Sequence, residues 1–297
     1  MKEVLKVDKI NKYFGKKHVI KDLSFTMNEG DILAFIGPNG AGKTTTIKLI
    51  LQLQSLNSGK VYINGFDNQK EFEKALAKVS AIVESPDMYM YLTGLENLKL
   101  AGNLYPGITN ADYDRVLEEV GLKSVKDMKV SKYSLGMRQR LGIAAALLSD
   151  PNVLIFDEPT NGLDPEGIRS IRELFKKLAR EGKAILISSH NLGELENFCT
   201  KVCIIKKGEL ITEETVSDLK KRLNNKTYCL ETEDLDKAKT ILNGNVVDNK
   251  IEFLLEDSLN HYLEKLLNER IRINAIYEKD ISLEDAFMDV AGGNKID

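Results

Sequence analysis

Residues 37–45 read GPNGAGKTT, and no other stretch limits the fold as tightly. Before them runs DILAFIG, apolar and of strand length; after them AGKTTTIKLILQL carries the spacing of a helix. A glycine-rich turn between strand and helix that closes on Lys-Thr is the pattern G-x-x-x-x-G-K-S/T in the context it requires. The full spacing and both flanks set it apart from a plain glycine turn. Gly37, Gly40 and Gly42 let the backbone curl with its N–H groups turned inward around an anion, and Pro38, Asn39, Ala41 and Thr45 complete the loop. The helix N-terminus adds the positive end of a dipole. Lys43 supplies a point charge for β- and γ-phosphates, and the Thr44 hydroxyl is the expected Mg2+ ligand.

The segment VLIFDEP (153–159) supplies a second half. Its apolar run delivers Asp157 and Glu158 to a strand's C-terminal end, where ligands bind in open α/β sheets. Asp157 is placed to hold Mg2+ through water, and Glu158 to act as general base on the attacking water. Adjacent acids are common on solvated loops, but these follow an apolar strand and precede Pro159. Between VLIFDEP and the later strand AILISSH lies GIRSIRELFKKLAREG, apolar at helical spacing and stopped by glycine. Strand, helix and strand in alternation predict an α/β fold with a parallel sheet covered by helices. Residues 86–149 read as a helical insert, interrupted by YPGITN and VSKYSLG, and KVCIIKKGELITE as a hairpin turning at Lys207-Gly208. The texture changes near residue 222. KKRLNNK reads as a linker, and the residues after it as strand, helix, paired strands, helix, strand. The expected division is 1–222 for the nucleotide-binding domain and 223–297 for a small α+β accessory domain.

Charge excludes one class of partner. Acids and bases are mixed and the net charge of the 297-residue chain is −3, without the concentrated basic face that nucleic acid demands. Cys199, Cys203 and Cys229 are odd in number and lack metal-type spacing, as expected of reduced structural thiols. The start MKEVLKVDKI has no apolar signal core. The run LGIAAALL (141–148) falls short of the roughly 20 residues that span a bilayer. Any membrane role therefore comes through a partner.

The segment KYSLGMRQRLGIAAALL (132–148) resembles the signature of ABC-type ATPases. Ser134 and Gly136 match the family's serine and second glycine, while Leu135 and Met137 replace its usual Gly and Gln. The residues alone agree, since a serine hydroxyl and free N–H groups at a helix start make an anion site. NGLDP (161–165) is similar to the family's D-loop, with Asp164, and LISSHNLGELE to its switch segment, with His190 in the position that contacts the γ-phosphate. NKYFGKKHVIKDLSF resembles the aromatic loop that stacks on adenine; Phe14 aligns best and Tyr13 is the alternative. The resemblance covers about residues 1–220. It implies a P-loop core of ABC type with ATP and Mg2+ as cofactors. It also implies a second ATP-binding subunit, most simply a homodimer, with each ATP held between one subunit's P-loop and the other's signature. Separate transmembrane permease subunits would hold the chain, cytoplasmic and peripheral, on the inner face of the cell membrane.

One residue departs from the general family pattern. In AIVESPDMYMYLTGLENL (81–98), Glu84 stands where the family carries the glutamine that contacts Mg2+ and the attacking water. Glu84 is therefore a candidate catalytic and metal-binding residue; the alternative is an acid that solvates a strand end. With the Ser-Pro and YLTGLENL that follow, it resembles the ATPase subunits of bacitracin-resistance and lantibiotic self-immunity exporters. Met88-Tyr89-Met90-Tyr91-Leu92 either docks a membrane subunit's cytoplasmic helix or packs within the insert. A closing segment, SLEDAFMDV with Phe287, is similar to the end of many such exporter ATPases. The expectation is an ATP hydrolase powering export of a peptide antibiotic. The alternatives are export of another drug or a lipid, a soluble non-transport ATPase of the same type, and a domain that binds ATP without hydrolysing it.

Overall fold

A computed structural model describes residues 2–279 apart from Ser85, Asn191, residues 196–197, residues 224–226 and Glu256. The segment SLEDAFMDV lies outside the described residues. The chain forms two compact units that divide between Val216 and Ser217.

In the first unit, β1 (Glu3–Phe14) and β2 (Lys17–Asn28) form a hairpin, followed by β3 (Ile32–Ile36) and α1 (Lys43–Ile50). Next come β4 (Ser58–Ile63), β5 (Phe66–Asp67), α2 (Phe72–Leu76) and β6 (Val79–Ile82). Three helices follow, α3 (Gly94–Gly102), α4 (Asn110–Glu119) and α5 (Leu135–Leu147), with short 3-10 turns at Lys123–Val125 and Val130–Lys132. The alternation then resumes with β7 (Val153–Asp157), α6 (Pro165–Arg180), β8 (Ala184–Ser189), α7 (Leu192–Leu195), β9 (Lys201–Lys206) and β10 (Glu209–Thr215).

These strands make two sheets. One is antiparallel in the order β2-β1-β4-β5; the other runs β10-β9-β3-β8-β7-β6 and is parallel except for β10. Every residue of β3, β7 and β8 is buried, as expected for parallel strands covered on both faces. Phe156 stacks on Phe175 at 4.9 Å between centroids, fixing α6 against the sheet. The register decides where chemistry can occur: Ile36 lies beside Ser189, and Asp157 beside Ser188. The polar C-terminal ends of β7 and β8 thus come level with the loop that leaves β3.

The hairpin expected at Lys207-Gly208 forms, with φ of 50° and 83° at the two turn residues, a primed turn matched to strand twist. Gly208 N–H donates to the Ala41 carbonyl at 2.9 Å, and Lys21 N–H donates to the Gly208 carbonyl at 2.8 Å. A side chain at Gly208 would overlap the Val19 carbonyl. The turn therefore braces the phosphate loop from outside the strand that carries it.

Helix α8 (Val216–Leu223) takes in Lys220–Leu223, which the sequence reading assigned to a linker. Leu219 is fully buried and gives this charged helix an apolar anchor. The second unit then runs β11 (Thr227–Glu231), α9 (Leu235–Leu242), β12 (Asn245–Val247), β13 (Lys250–Leu254), α10 (Leu259–Asn268) and β14 (Ala275–Glu278), in the order the sequence predicts. Its sheet, β12-β13-β11-β14, is antiparallel throughout. That is the split β-α-β arrangement of ferredoxin-like folds. Leu230, Leu242, Ile251, Phe253 and Leu266 form a core belonging to this unit alone. All three cysteines are free and buried, and burial pushes the Cys199 and Cys203 thiols up.

Candidate nucleotide site

The phosphate loop is shaped by close approach. Gly37 is packed so tightly that any Cβ would strike the Ile205 carbonyl, and Gly40 and Gly42 hold φ of 76° and 112°. Ala41 N–H donates to the Pro38 carbonyl at 3.0 Å, closing the turn. Lys43 leads α1 and is only 6% exposed. Its ammonium donates to the Gly37 carbonyl at 2.7 Å and lies 3.7 Å from Glu158 Oε1. Burial pulls the Lys43 pKa below its usual value, while the negative charges of Glu158 and Asp157 oppose that shift.

Two hydroxyl groups hold Asp157. Thr44 Oγ1 donates to Oδ2 at 2.8 Å, and the buried Ser188 Oγ donates to Oδ1. Glu158 sits just past the strand end with φ of 53°, and its N–H donates to Ser188 Oγ at 3.0 Å. Its Oε2 lies 2.6 Å from His190 Nδ1. The structure thus brings Lys43, Thr44, Asp157, Glu158 and His190 together at the C-terminal end of the sheet's central strands. Ser188, which the sequence reading did not single out, ties the two acids to β8. Its signal was the change from apolar to hydroxyl residues at the end of AILISSH.

The residues fit Mg2+. Octahedral Mg2+ with bonds of about 2.0–2.1 Å has neighbouring ligand oxygens roughly 2.9 Å apart, and it favours hydroxyl, carboxylate and water oxygens. Thr44 Oγ1 and Asp157 Oδ2, hydrogen-bonded at 2.8 Å, put a hydroxyl and a carboxylate side by side, the donors that would hold the ion directly and through a water.

A cavity of about 490 Å3 opens over the loop, with Phe14, Lys17 and Val19 at one side and Asn39, Lys43 and Glu158 among its other walls. Phe14, 47% exposed, is the aromatic that faces this cavity. Tyr13 is also exposed but stacks on His18, with centroids 3.9 Å apart and planes within 10°.

Ser134, Gly136 and Asp164 stand apart from this set. Ser134 caps α5, its Oγ accepting from Met137 N–H at 3.2 Å; Asp164 caps α6, its Oδ1 accepting from Gly167 N–H at 2.9 Å. Space beside Gly136 is bounded by Leu163, and beside Gly162 by Leu135, so the two caps sit side by side. None of the three lines the cavity over the phosphate loop.

The structure does not bring Glu84 to Thr44 and Asp157. The Glu84 side chain is 71% exposed, and its Oε1 accepts from Lys48 Nζ at 2.9 Å, one helical turn beyond Thr44. Lys48 is a neighbour that the sequence reading passed over, although its spacing of four from Thr44 puts both on one face of α1.

A strand-loop-helix phosphate cradle, a paired Asp-Glu at the end of β7, across β8 from the cradle's strand, and a hydroxyl-carboxylate pair beside them define a P-loop nucleotide hydrolase. Comparison with known proteins narrows this. The family model described as "ABC transporter" matches residues 20–161. An uncharacterized ABC transporter ATP-binding protein of Bacillus subtilis is 44% identical over 99% of this chain and 98% of its own length. The bacitracin transport ATP-binding protein of Bacillus licheniformis is 38% identical over 100% of both. A solved ATP-binding subunit of an ABC transporter superposes with a TM-score of 0.66 at 33% identity, over 74% of this chain and 92% of its own. The chain belongs to the ABC transporter family, among its ATP-binding subunits. Cassettes of this family bind ATP and are ATPases coupled to transport, and they act as dimers with transmembrane subunits. Among the described residues no helix is long and apolar enough to cross a membrane.

Proposed function

We propose that this chain binds ATP with Mg2+, hydrolyses it as one half of a homodimer, and drives export of a bacitracin- or lantibiotic-type peptide antibiotic through separate membrane subunits. The observation that carries the substrate class is Glu84 at the end of β6, set in a chain that matches a bacitracin transport protein along its whole length. The work falls to the residues at the C-terminal ends of β3, β7 and β8. Lys43 and the loop N–H groups hold the β- and γ-phosphates, and Thr44 and Asp157 hold Mg2+, which neutralises charge developing on the phosphates. Glu158 takes the proton of the attacking water, and His190, hydrogen-bonded to Glu158, faces the γ-phosphate. Ser134 and Gly136 meet the ATP held by the partner subunit, as their separation from the cavity supports, and Asp164 lines the same seam. The unit that follows, from about residue 223 in the sequence reading, serves as an accessory domain.

The segment after Glu84 is the proposed seat of the membrane subunit on the inner face of the membrane. Tyr89, Met90 and Tyr91 are 55%, 40% and 68% exposed, which supports docking over packing within the insert. A cavity of about 390 Å3 lined by Met88, Tyr89, Leu100 and Leu104 stands beside them. Pro86 packs where Gly142 of α5 leaves no room for a side chain, so this segment touches the helix that Ser134 caps.

Co-expression with the transmembrane permease subunits of a bacitracin-type exporter, in a bacitracin- and nisin-sensitive host, tests this reading. Protection by the wild type and none by Glu158→Gln is the expected result. Unchanged sensitivity to every peptide tried, with ATPase activity intact, would refute the substrate class. For the base-stacking role, Phe14→Ala is expected to raise the KM for ATP roughly 10-fold, from the 1–3 kcal/mol typical of base–aromatic stacking. Tyr13→Ala should change it by less than about 2-fold, since surface substitutions away from a site cost little. Steady-state kinetics decide between the two, and the reverse ranking would assign the stack to Tyr13.

A further inference from the structure

Lys12 carries a buried charge that the phosphate chemistry leaves unused. The residue is only 9% exposed, and lysine is rarely buried unless its ammonium finds a partner. Here Nζ donates to the Ser55 carbonyl at 2.6 Å and lies over the Phe14 ring, 5.2 Å from its centroid. Among the described residues no carboxylate pairs with it, so a carbonyl and an aromatic face meet the charge. The two side chains come together because residues 12 and 14 of β1 fall on one side of the strand; Tyr13, between them, turns the other way onto His18. Phe14 is a wall of the cavity over the phosphate loop, and Lys12 is not. Ser55 lies in the turn that follows α1, and two more bonds tie that turn to β1: Asn57 N–H donates to the Asn11 carbonyl at 3.0 Å, and Tyr13 N–H donates to Asn57 Oδ1 at 2.8 Å. The other end of α1 carries Lys43 and Thr44. One helix thus stands between the segment that grips the aromatic tip and the loop that holds phosphate. We infer that Lys12 is a positioning residue for the base of the bound nucleotide: its ammonium braces the Phe14 ring from outside the cavity and fixes the face on which the base stacks. This rests on the reading of Phe14 as the base-stacking aromatic.

A half-exposed ring at a hairpin tip has rotamer freedom to lose when a base settles on it. A cation held against the ring removes part of that freedom beforehand, and affinity is gained by preorganisation. The brace acts on the base and not on the phosphates, so a binding experiment can separate the two. The full chain is titrated calorimetrically in Mg2+ with ADP, which carries base and phosphates and is not consumed, and with pyrophosphate, which lacks the base. Lys12→Met and Lys12→Gln should each weaken ADP binding by about three- to fivefold, the size of one cation–π contact, and leave pyrophosphate binding unchanged. Lys12→Arg, which keeps a cation over the ring, should bind ADP as the wild type does. In a Phe14→Ala background, Lys12→Met and Lys12→Gln should cause no further loss.

An equal loss for ADP and pyrophosphate would mean that Lys12 supports the fold around the phosphate loop, which overturns the inference. So would a loss of the same size in the Phe14→Ala background, since Lys12 would then act without the ring. If Phe14→Ala weakens ADP while the Lys12 variants bind it normally, the stacking reading of Phe14 survives and the role of Lys12 falls alone. If Phe14→Ala itself leaves ADP affinity untouched, that reading fails and takes this inference with it.

Discussion

Glu158→Gln is expected to lower ATP turnover by about 10²- to 10⁴-fold, the range that a positioned general base contributes, while leaving ATP affinity near the wild-type value. Charge explains both halves. The amide cannot accept the water's proton, yet it keeps the shape of the carboxylate beside Lys43 and His190. It also removes a negative charge that faces the phosphates across the same cavity. With hydrolysis blocked and repulsion reduced, ATP should accumulate in the dimer. Gel filtration with ATP and Mg2+ should show a larger dimer fraction for the variant than for the wild type. Single-turnover kinetics at wild-type speed would remove Glu158 as the base and point to a phosphate oxygen of the substrate itself.

Lys43→Met carries the other large expected effect, and it strikes binding as well as turnover. Losing one charge-stabilising donor in such a site costs about 10²- to 10³-fold in rate. Here a second loss follows, because Lys43 is the buried cation between Asp157 and Glu158. Without it two neighbouring carboxylates face the incoming phosphates with Mg2+ as the remaining counter-charge. Calorimetric titration should show ATP affinity falling with the rate, in contrast to Glu158→Gln, where the two separate. Retained affinity would mean that the loop N–H groups hold the phosphates without the lysine.

The candidate site was legible because it is written in local pattern. Phosphate loop, acid pair and switch histidine each close a strand whose apolar run is easy to recognise, so Lys43, Thr44, Asp157, Glu158 and His190 could be named from the sequence. The pairing of strands placed them together: Asp157 lies level with Ser188, and Ile36 with Ser189. What periodicity could not supply was side-chain choice between neighbours. Tyr13 and Phe14 are equivalent in composition, and only the hairpin geometry sends Tyr13 onto His18 and leaves Phe14 facing the cavity. Glu84 was visible as an unusual acid, but its partner Lys48 lies 36 residues earlier, beyond any local signal. The second unit's strand and helix order was readable, whereas its split topology depends on which strands become neighbours. The boundary helix α8 was missed because its basic run Lys220-Lys221-Arg222 resembles a tether, and the burial of Leu219 is a property of the folded chain alone.

The position of β3 has a consequence for the life of the chain as it is made. This strand is hydrogen-bonded on one side to β8 and on the other to β9, where Ile36 meets Ser189 and Ile204. The phosphate loop leaves the ribosome ahead of the strands that flank its own, which arrive more than a hundred residues later. Contacts so distant form slowly, since the closure of a long loop precedes any reward from it. Over that interval a nascent chain carries the nucleotide-binding sequence without possessing a nucleotide-binding pocket. The fold thereby ties the onset of ATP consumption to completion of the core, and a prematurely terminated chain cannot become an idle hydrolase.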